Sequence, residues 1–322
     1  MEELVKTKRR DFLKQTLSLS VFGMLANSPM RVLAKALPKK LTILHTNDWH
    51  SRIEPFPAID KNYGGMGGAE VRAAVIKNIR EKEGEILLLD AGDIFQGTPY
   101  FNFYGGELEF KLMTEMGYDC ATLGNHDFDN GLDGFNKQLP HAGFSFVNAN
   151  YDFSKTLLKD KILPYKIFKK KGLKIGVFGI GIELKGLVPD KLFGNTIYND
   201  PVMIANQIAL ILKRDKKCDL VICLSHLGYK YNSSKVSDEV LASQTQNIDL
   251  IIGGHTHTFL PEPVIFKNLV NKNVIVNQVG WAGLQLGRID FTFEPFINKN
   301  YSAQSSLIKF TNGEDAYMLM EG

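Results

Sequence analysis

Cysteine is scarce in this 322-residue chain, and long hydrophobic runs are absent. The three cysteines, Cys120, Cys218 and Cys223, form an odd set without metal-type pairing. That argues against a disulfide framework or a catalytic thiol and leaves them as small buried hydrophobes. No apolar stretch approaches the ~20 residues that a membrane helix requires. The weakly apolar run from Leu17 to Ala26 is followed by Pro29 and Arg31, and by no cysteine that could carry a lipid anchor. Internal repeats, low-complexity tracts and linkers are lacking too. With 44% apolar and 23% charged residues, the composition is that of a soluble globular protein with one large core or two modest ones.

A basic surface is also missing once the N-terminus is set apart. Lys8-Arg9-Arg10-Asp11-Phe12-Leu13-Lys14 precedes the weak apolar run, and Ala34-Lys35-Ala36 offers small residues at the spacing of a cleavage site. This resembles a twin-arginine export signal. Residues 1–36 are therefore expected to address the chain to the twin-arginine machinery, giving a periplasmic or secreted bacterial protein with no stable membrane anchor. The whole chain carries a formal +3, but residues 1–36 hold seven Lys/Arg and three Asp/Glu. Taking these from 38 and 35 leaves 31 basic and 32 acidic side chains, a net −1. A nucleic-acid partner held by positive charge is not expected.

From Leu41 onward, short β-rich runs alternate with helical patterns. Strands are expected at Leu41–His45, Glu85–Asp90, Cys120–Leu123, Phe144–Asn148, Leu173–Ile180, Asp219–Leu224, Ile248–Ile252, Val274–Gln278 and Gly287–Phe293. Val71, Val75 and Ile79 mark a helix ended by Gly84; Leu108, Leu112, Met113 and Met116 mark another stopped by Gly117. Asp200-Pro201 opens a third by cap and first-turn proline, with Ala205, Ile208, Ala209 and Leu212 inward. Leu163 to Ile180 reads as a hairpin turning at Lys171-Gly172, so the sheets are mixed. Runs such as Leu87-Leu88-Leu89 and Val221-Ile222 need cover on both faces. The expected fold class is α/β: a four-layer α/β/β/α sandwich of two mixed sheets with flanking helices, one domain over residues 37–295. Residues 296–322 form a C-terminal extension, in which Ser305 to Phe310 add an edge strand or stay loose.

Polar residues collect just after those strands. Asn47-Asp48-Trp49-His50, Gly92-Asp93, Gly124-Asn125-His126-Asp127-Phe128-Asp129, Ser225-His226 and Gly254-His255-Thr256-His257 contain five of the seven histidines. In an extended chain, residues i and i+2 share a face. Asp48 and His50 then point at one place, as do His255 and His257, whereas His45 points with Asn47 away from Asp48 and is structural. Ligand sites in open sheets gather at strand carboxyl ends. Taken singly, Asp48 could cap a turn, His226 could be a core histidine and Asn125 could hold a left-handed turn. Taken together, two carboxylates, four imidazoles and an amide exceed one tetrahedral zinc and suit two divalent metals. The glycines Gly64, Gly65, Gly67 and Gly68 invite a phosphate-loop reading, but no Lys-Ser/Thr follows them, and they read as a loop before a helix.

These segments carry a resemblance. "ILHTNDWHSRI" from Ile43, "GDIFQGTP" from Gly92, "GNHDFDNG" from Gly124, "LSHLG" from Leu224 and "GGHTHT" from Gly253 stand in order. The stretch from Leu41 to about Phe293 resembles the metallophosphatase domain of the 5′-nucleotidase branch of calcineurin-like metallophosphoesterases. The resemblance implies the metallophosphoesterase fold and two divalent ions, whether Mn, Zn, Fe, Co or Ni. Asp48, His50 and His257 would hold one ion, Asn125, His226 and His255 the other, with Asp93 between both. Many nucleotidases have glutamine where His257 stands. A metal-bridged hydroxide would attack a phosphate ester of a small molecule, most often a nucleotide. His126, oriented by Asp129, would aid the leaving oxygen; Asp127 stands where the family commonly has glutamate and is given no catalytic role.

Complete enzymes of this branch carry a second domain that binds the nucleoside, and its residues are not found here. Phosphate-ester hydrolysis is thus the firmer expectation, with a separate polypeptide supplying the other domain as one alternative. Cyclic-nucleotide phosphodiesterase and sulfate- or thiosulfate-ester hydrolase activities of the same fold are others. A non-catalytic metal-binding interaction protein is the last, and it would be expected to have lost His126 or a bridging ligand.

Overall fold

The computed structural model describes residues 37–294 and 301–310. The expected export signal lies outside the described residues, as do 295–300 and 311–322. Two six-stranded sheets dominate. The first has the order β14 (Tyr301–Lys309), β13 (Gln285–Phe293), β1 (Lys39–Thr46), β2 (Ile86–Asp90), β3 (Cys120–Ala121), β4 (Ser145–Phe146). The second runs β11 (Val264–Lys267), β12 (Asn273–Asn277), β10 (Leu250–Gly253), β9 (Leu220–His226), β7 (Leu173–Gly181), β6 (Tyr165–Lys170). A small pair, β5 (Tyr151–Asp152) and β8 (Ile197–Tyr198), stands apart. In each large sheet the central strands are parallel; antiparallel strands close both edges of the second sheet and one edge of the first, whose other edge, β4, pairs parallel with β3. The expected sandwich of two mixed sheets is the fold observed.

Alternation along the strands builds the layers. Leu41, Ile43, Leu87 and Leu89 of the first sheet share one cluster with Ile175, Val177, Ile222, Leu224, Leu250 and Ile252 of the second. The intervening residues face outward: Leu44 and Leu88 meet helices α1 (Ala69–Glu83) and α3 (Glu107–Met116), which follow the short α2 (Pro99–Tyr104). Val221, Cys223 and Ile251 meet α6 (Pro201–Leu210) and α7 (Asp238–Gln244), after α4 (Gly131–Gln138) and α5 (Asp190–Phe193). Each large side chain so buried contributes roughly 1.5–3 kcal/mol. All three cysteines are buried, as expected of small hydrophobes.

Local signals hold with shifts. Asp200 caps α6 by accepting from Met203 N at 2.7 Å, and Gly84 ends α1. The inward stripe of α1 is Ala69, Arg72, Val75, Ile76 and Ile79; Val71 is only half-buried. Strands β3 and β4 are two residues each, shorter than their apolar runs, because the chain leaves the sheet early for the loops at its rim. Ser305 to Phe310 belong to the edge: β14 pairs antiparallel with β13 from Tyr301 to Lys309. No helix among the described residues is long and apolar enough to cross a membrane.

Candidate active site

The parallel strands β1, β2, β3, β9 and β10 point their carboxyl ends at one rim, so their following loops meet there. The approach by extended-chain parity is not what happens. Beyond Thr46 the backbone turns left-handed: φ is 50° at Asp48, 52° at His50, 56° at Asp93, 73° at His255 and 51° at His257. Such φ values are unfavourable for side-chain-bearing residues and persist where surroundings hold them. Here backbone hydrogen bonds do so: Asp48 N, His50 N and Ser51 N donate to Gly92 O, Asp93 O and Ile94 O at 2.9–3.0 Å. Asn47 is therefore not turned from Asp48. Its Nδ2 donates to Asp48 Oδ2 and to Gly280 O, each at 2.6 Å. His45 stays in the layer between the sheets, as expected.

All nine candidate residues come to this rim. Asp48, His50 and His257 offer ligand atoms lying within 4.8 Å of one another, as do Asp93, His226 and His255. Asn125 Oδ1 lies 2.7 Å from His255 Nδ1. Asp93 Oδ2 faces both groups, 3.1 Å from His226 Nε2 and 3.9 Å from His50 Nε2. His126 Nδ1 lies 2.7 Å from Asp129 Oδ2, and its ring centroid is 5.3 Å from that of His50. The close approach of loops requires Gly124, where a Cβ would sit 2.1 Å from Asp93 Oδ1.

Electrostatics at the rim divide the histidines. Burial holds His50 and His255 below their ordinary range, His255 at about 4, so both present lone pairs. Burial would lower His226 as well, but Asp93 beside it raises it further. His126 is raised, first by its hydrogen bond to Asp129. The donor set fits two divalent ions by its chemistry. His50 Nε2 and His257 Nε2 face each other at 2.9 Å with Asp48 Oδ1 3.3 Å from the latter. Nitrogen and carboxylate donors thus converge on one point, the ligand chemistry that a divalent cation accepts.

Supporting residues escaped the sequence reading. Asp127, fully buried, accepts from the N–H groups of Asp93, Ile94, Phe95 and Gly124 at 2.8–3.2 Å and so shapes the Asp93 turn. Burial pushes its pKa up, while those donors favour the carboxylate. Gln278 bonds Gly254 O, Thr258 N and Thr256 Oγ1, bracing the loop of His255 and His257. A buried Asp between the motif's histidine and phenylalanine was the signal for the first; the second, a lone glutamine after a strand, had none.

The sequence model described as calcineurin-like phosphoesterase matches residues 41–259. The chain belongs to the calcineurin-like phosphoesterase family. Membership makes it a metal-dependent phosphoester hydrolase. It is 33% identical over 312 residues to a 5′-nucleotidase of Vibrio cholerae, covering 87% of this chain and 54% of that protein. The chain thus spans about half the length of that relative. Among solved structures, a 5′-nucleotidase precursor from Thermus thermophilus superposes with a TM-score of 0.73 at 29% identity, over 88% of this chain and 58% of the other. The calcineurin-like phosphoesterase YfkN from Bacillus subtilis gives 0.66 at 25%, over 88% of this chain and 96% of that one.

Proposed function

We propose that this calcineurin-like phosphoesterase hydrolyses phosphate monoesters of nucleotides, using two divalent cations. Asp48, His50 and His257 hold one, Asn125, His226 and His255 the other, and Asp93 serves both. The observation that carries the reading is the Asp93 carboxylate facing both groups, with the His126–Asp129 pair alongside. The cations would supply Lewis acidity, neutralising charge on the attacking and leaving oxygens and making water nucleophilic near neutral pH. The protein's own part is placement and proton control. Asp127 and Gln278 fix the loops, burial favours the neutral, lone-pair-bearing forms of His50 and His255, and the hydrogen bond to Asp129 favours the protonated form of His126. His126 is then ready to stabilise or protonate the leaving oxygen. The nucleotide preference is supported by the names of the Vibrio and Thermus relatives.

The test is a panel of 5′-nucleotides, cyclic nucleotides and sulfate esters, assayed after chelation and after return of manganese or zinc. Metal-restored release of phosphate from 5′-nucleotides supports the reading. No ester turned over with any metal, or His126→Ala with unchanged rate, overturns it. Export through the twin-arginine route is proposed from Arg9-Arg10 and the following apolar run. A reporter fused to residues 1–36 that leaves the cytoplasm without that machinery would refute it.

A further inference from the structure

The histidines of the site differ in what holds their rings. His50 Nδ1 faces Phe95 O at 3.3 Å, and His226 Nδ1 faces Ala91 O at 2.7 Å. A backbone carbonyl on one ring nitrogen fixes tautomer and plane, leaving Nε2 for a cation. His257 has no protein partner at Nδ1 among the described residues; its polar contacts, to His50 and Asp48, run through Nε2, and its ring meets that of His50 edge-on at 4.9 Å. Its side chain is 38% exposed, so solvent does not confine it. What it has instead is Trp281. The two rings are parallel within 3°, with centroids 5.3 Å apart, a separation that stacked aromatic pairs favour.

Trp281 is itself fixed to the same site. It stands between Gly280 and Ala282, both at positive φ (75° and 56°). Gly280 O accepts from Asn47 Nδ2 at 2.6 Å, Val279 N donates to Asn47 Oδ1 at 3.0 Å, and Ala282 N donates to Asp48 O at 2.7 Å. Phe56 and Tyr63 meet the indole edge-on at 5.9 and 6.5 Å. The loop that carries the indole is therefore bonded to the residue pair that carries Asp48. His257 stacks on the indole, and the His50 ring stands edge-on to it at 6.3 Å.

We infer that Trp281 is a positioning residue: its indole face sets the imidazole plane of His257, and so the affinity of the Asp48, His50 and His257 group for a divalent cation. Stacking here replaces the carbonyl that His50 and His226 use. This rests on His257 being a ligand, as proposed above.

The test titrates manganese(II) into full-length protein freed of metal by chelator, with the free ion read by electron paramagnetic resonance. Trp281→Leu is expected to weaken one of two cations by about 10–100-fold, the usual cost of losing a group that orients a ligand, and to leave the other unchanged. Trp281→Phe, which keeps an aromatic face, is expected to recover most of the affinity; a merely space-filling role would not discriminate in this way. Trp281→Met keeps bulk without that face and carries the same comparison if the leucine variant does not fold, as judged by circular dichroism. The inference is overturned if Trp281→Leu or Trp281→Met binds both cations as tightly as the parent while His257→Ala loses one. If His257→Ala also keeps both, His257 is not a ligand, and the inference falls together with that part of the proposed function.

Discussion

His45 and His226 are both fully buried at the ends of parallel-paired strands, and their surroundings drive their protons in opposite directions. His45 lies in the layer between the sheets. Its Nε2 meets Asn277 Nδ2 at 2.9 Å, no carboxylate faces it, and burial pushes its pKa down to about 3. His226 lies at the rim, 3.1 Å from Asp93, and is raised despite equal burial. Strand geometry delivers an imidazole to either place. What sets the rim apart is the left-handed backbone beyond the strand ends, which turns carboxylates onto the histidines.

The largest expected effect breaks the rim alone. Asp93→Ala is expected to lower kcat/KM by about a thousandfold or more, because in the proposed function several kcal/mol of transition-state charge stabilisation would depend on the cations it serves. Metal analysis should show both ions lost. His45→Leu, in the layer between the sheets, should leave metal content and rate near those of the parent. It should cost about 1–3 kcal/mol of stability in chemical denaturation, since the Asn277 amide is left unpaired.

Next comes a split inside the rim. His126→Ala is expected to reduce kcat by about 10²–10⁴-fold while both cations remain bound, because in the proposed function His126 acts on the leaving oxygen and is not one of the ligands. Loss of metal together with activity in this variant would merge the two roles and undo the distinction between ligands and dyad.

A smaller, pH-dependent effect sharpens the contrast from the other side. His45 has a folded pKa of about 3 against an ordinary 6.5. As pH falls from 6.5 toward 3, the unfolded chain takes up a proton that the folded protein refuses, so stability drops with falling pH. The slope contributed is up to ~1.4 kcal/mol per pH unit. Over this window the loss along that slope exceeds the ~1–3 kcal/mol cost of His45→Leu, so denaturation curves of the parent and the variant should converge and then cross as pH falls. If they run parallel, His45 is not held neutral.

Much of this was legible in the sequence, for reasons that can be named. Apolar runs such as Leu87-Leu88-Leu89 have to be covered on both sides, which demands helices outside and a second sheet inside. The rim residues stood out because five histidines gathered at the ends of four strands. What was not legible was the backbone between them. Parity along an extended chain assigned Asn47 away from Asp48, and positive φ at Asp48 and His50 reversed that. Asp127, Gln278 and Trp281 act through loops that meet only in space, over separations such as Asn47 to Gly280, and no local pattern announces such a meeting.

The smallest expected effect concerns an ion pair without a rim. Glu83 at the end of α1 pairs with Arg288 of β13 and, at 3.2 Å, with Lys40 of β1. Its side chain is 24% exposed and that of Lys40 is 47% exposed. Desolvation works against its ionised form, and hydrogen bonds from Arg288 and Lys40 outweigh it, so its pKa falls. Water and salt nevertheless screen the group, and such pairs contribute under ~1 kcal/mol. Glu83→Gln is therefore expected to shift the denaturation midpoint slightly at low salt. Near 1 M salt, where charges are screened beyond about 3 Å, the shift should vanish. Activity should not change, because the pair bridges α1 to strands and touches no loop of the rim. A large loss of activity in this variant would mean that the rim depends on charge well outside it, and that its chemistry cannot be assigned to Asp93 and its neighbours alone.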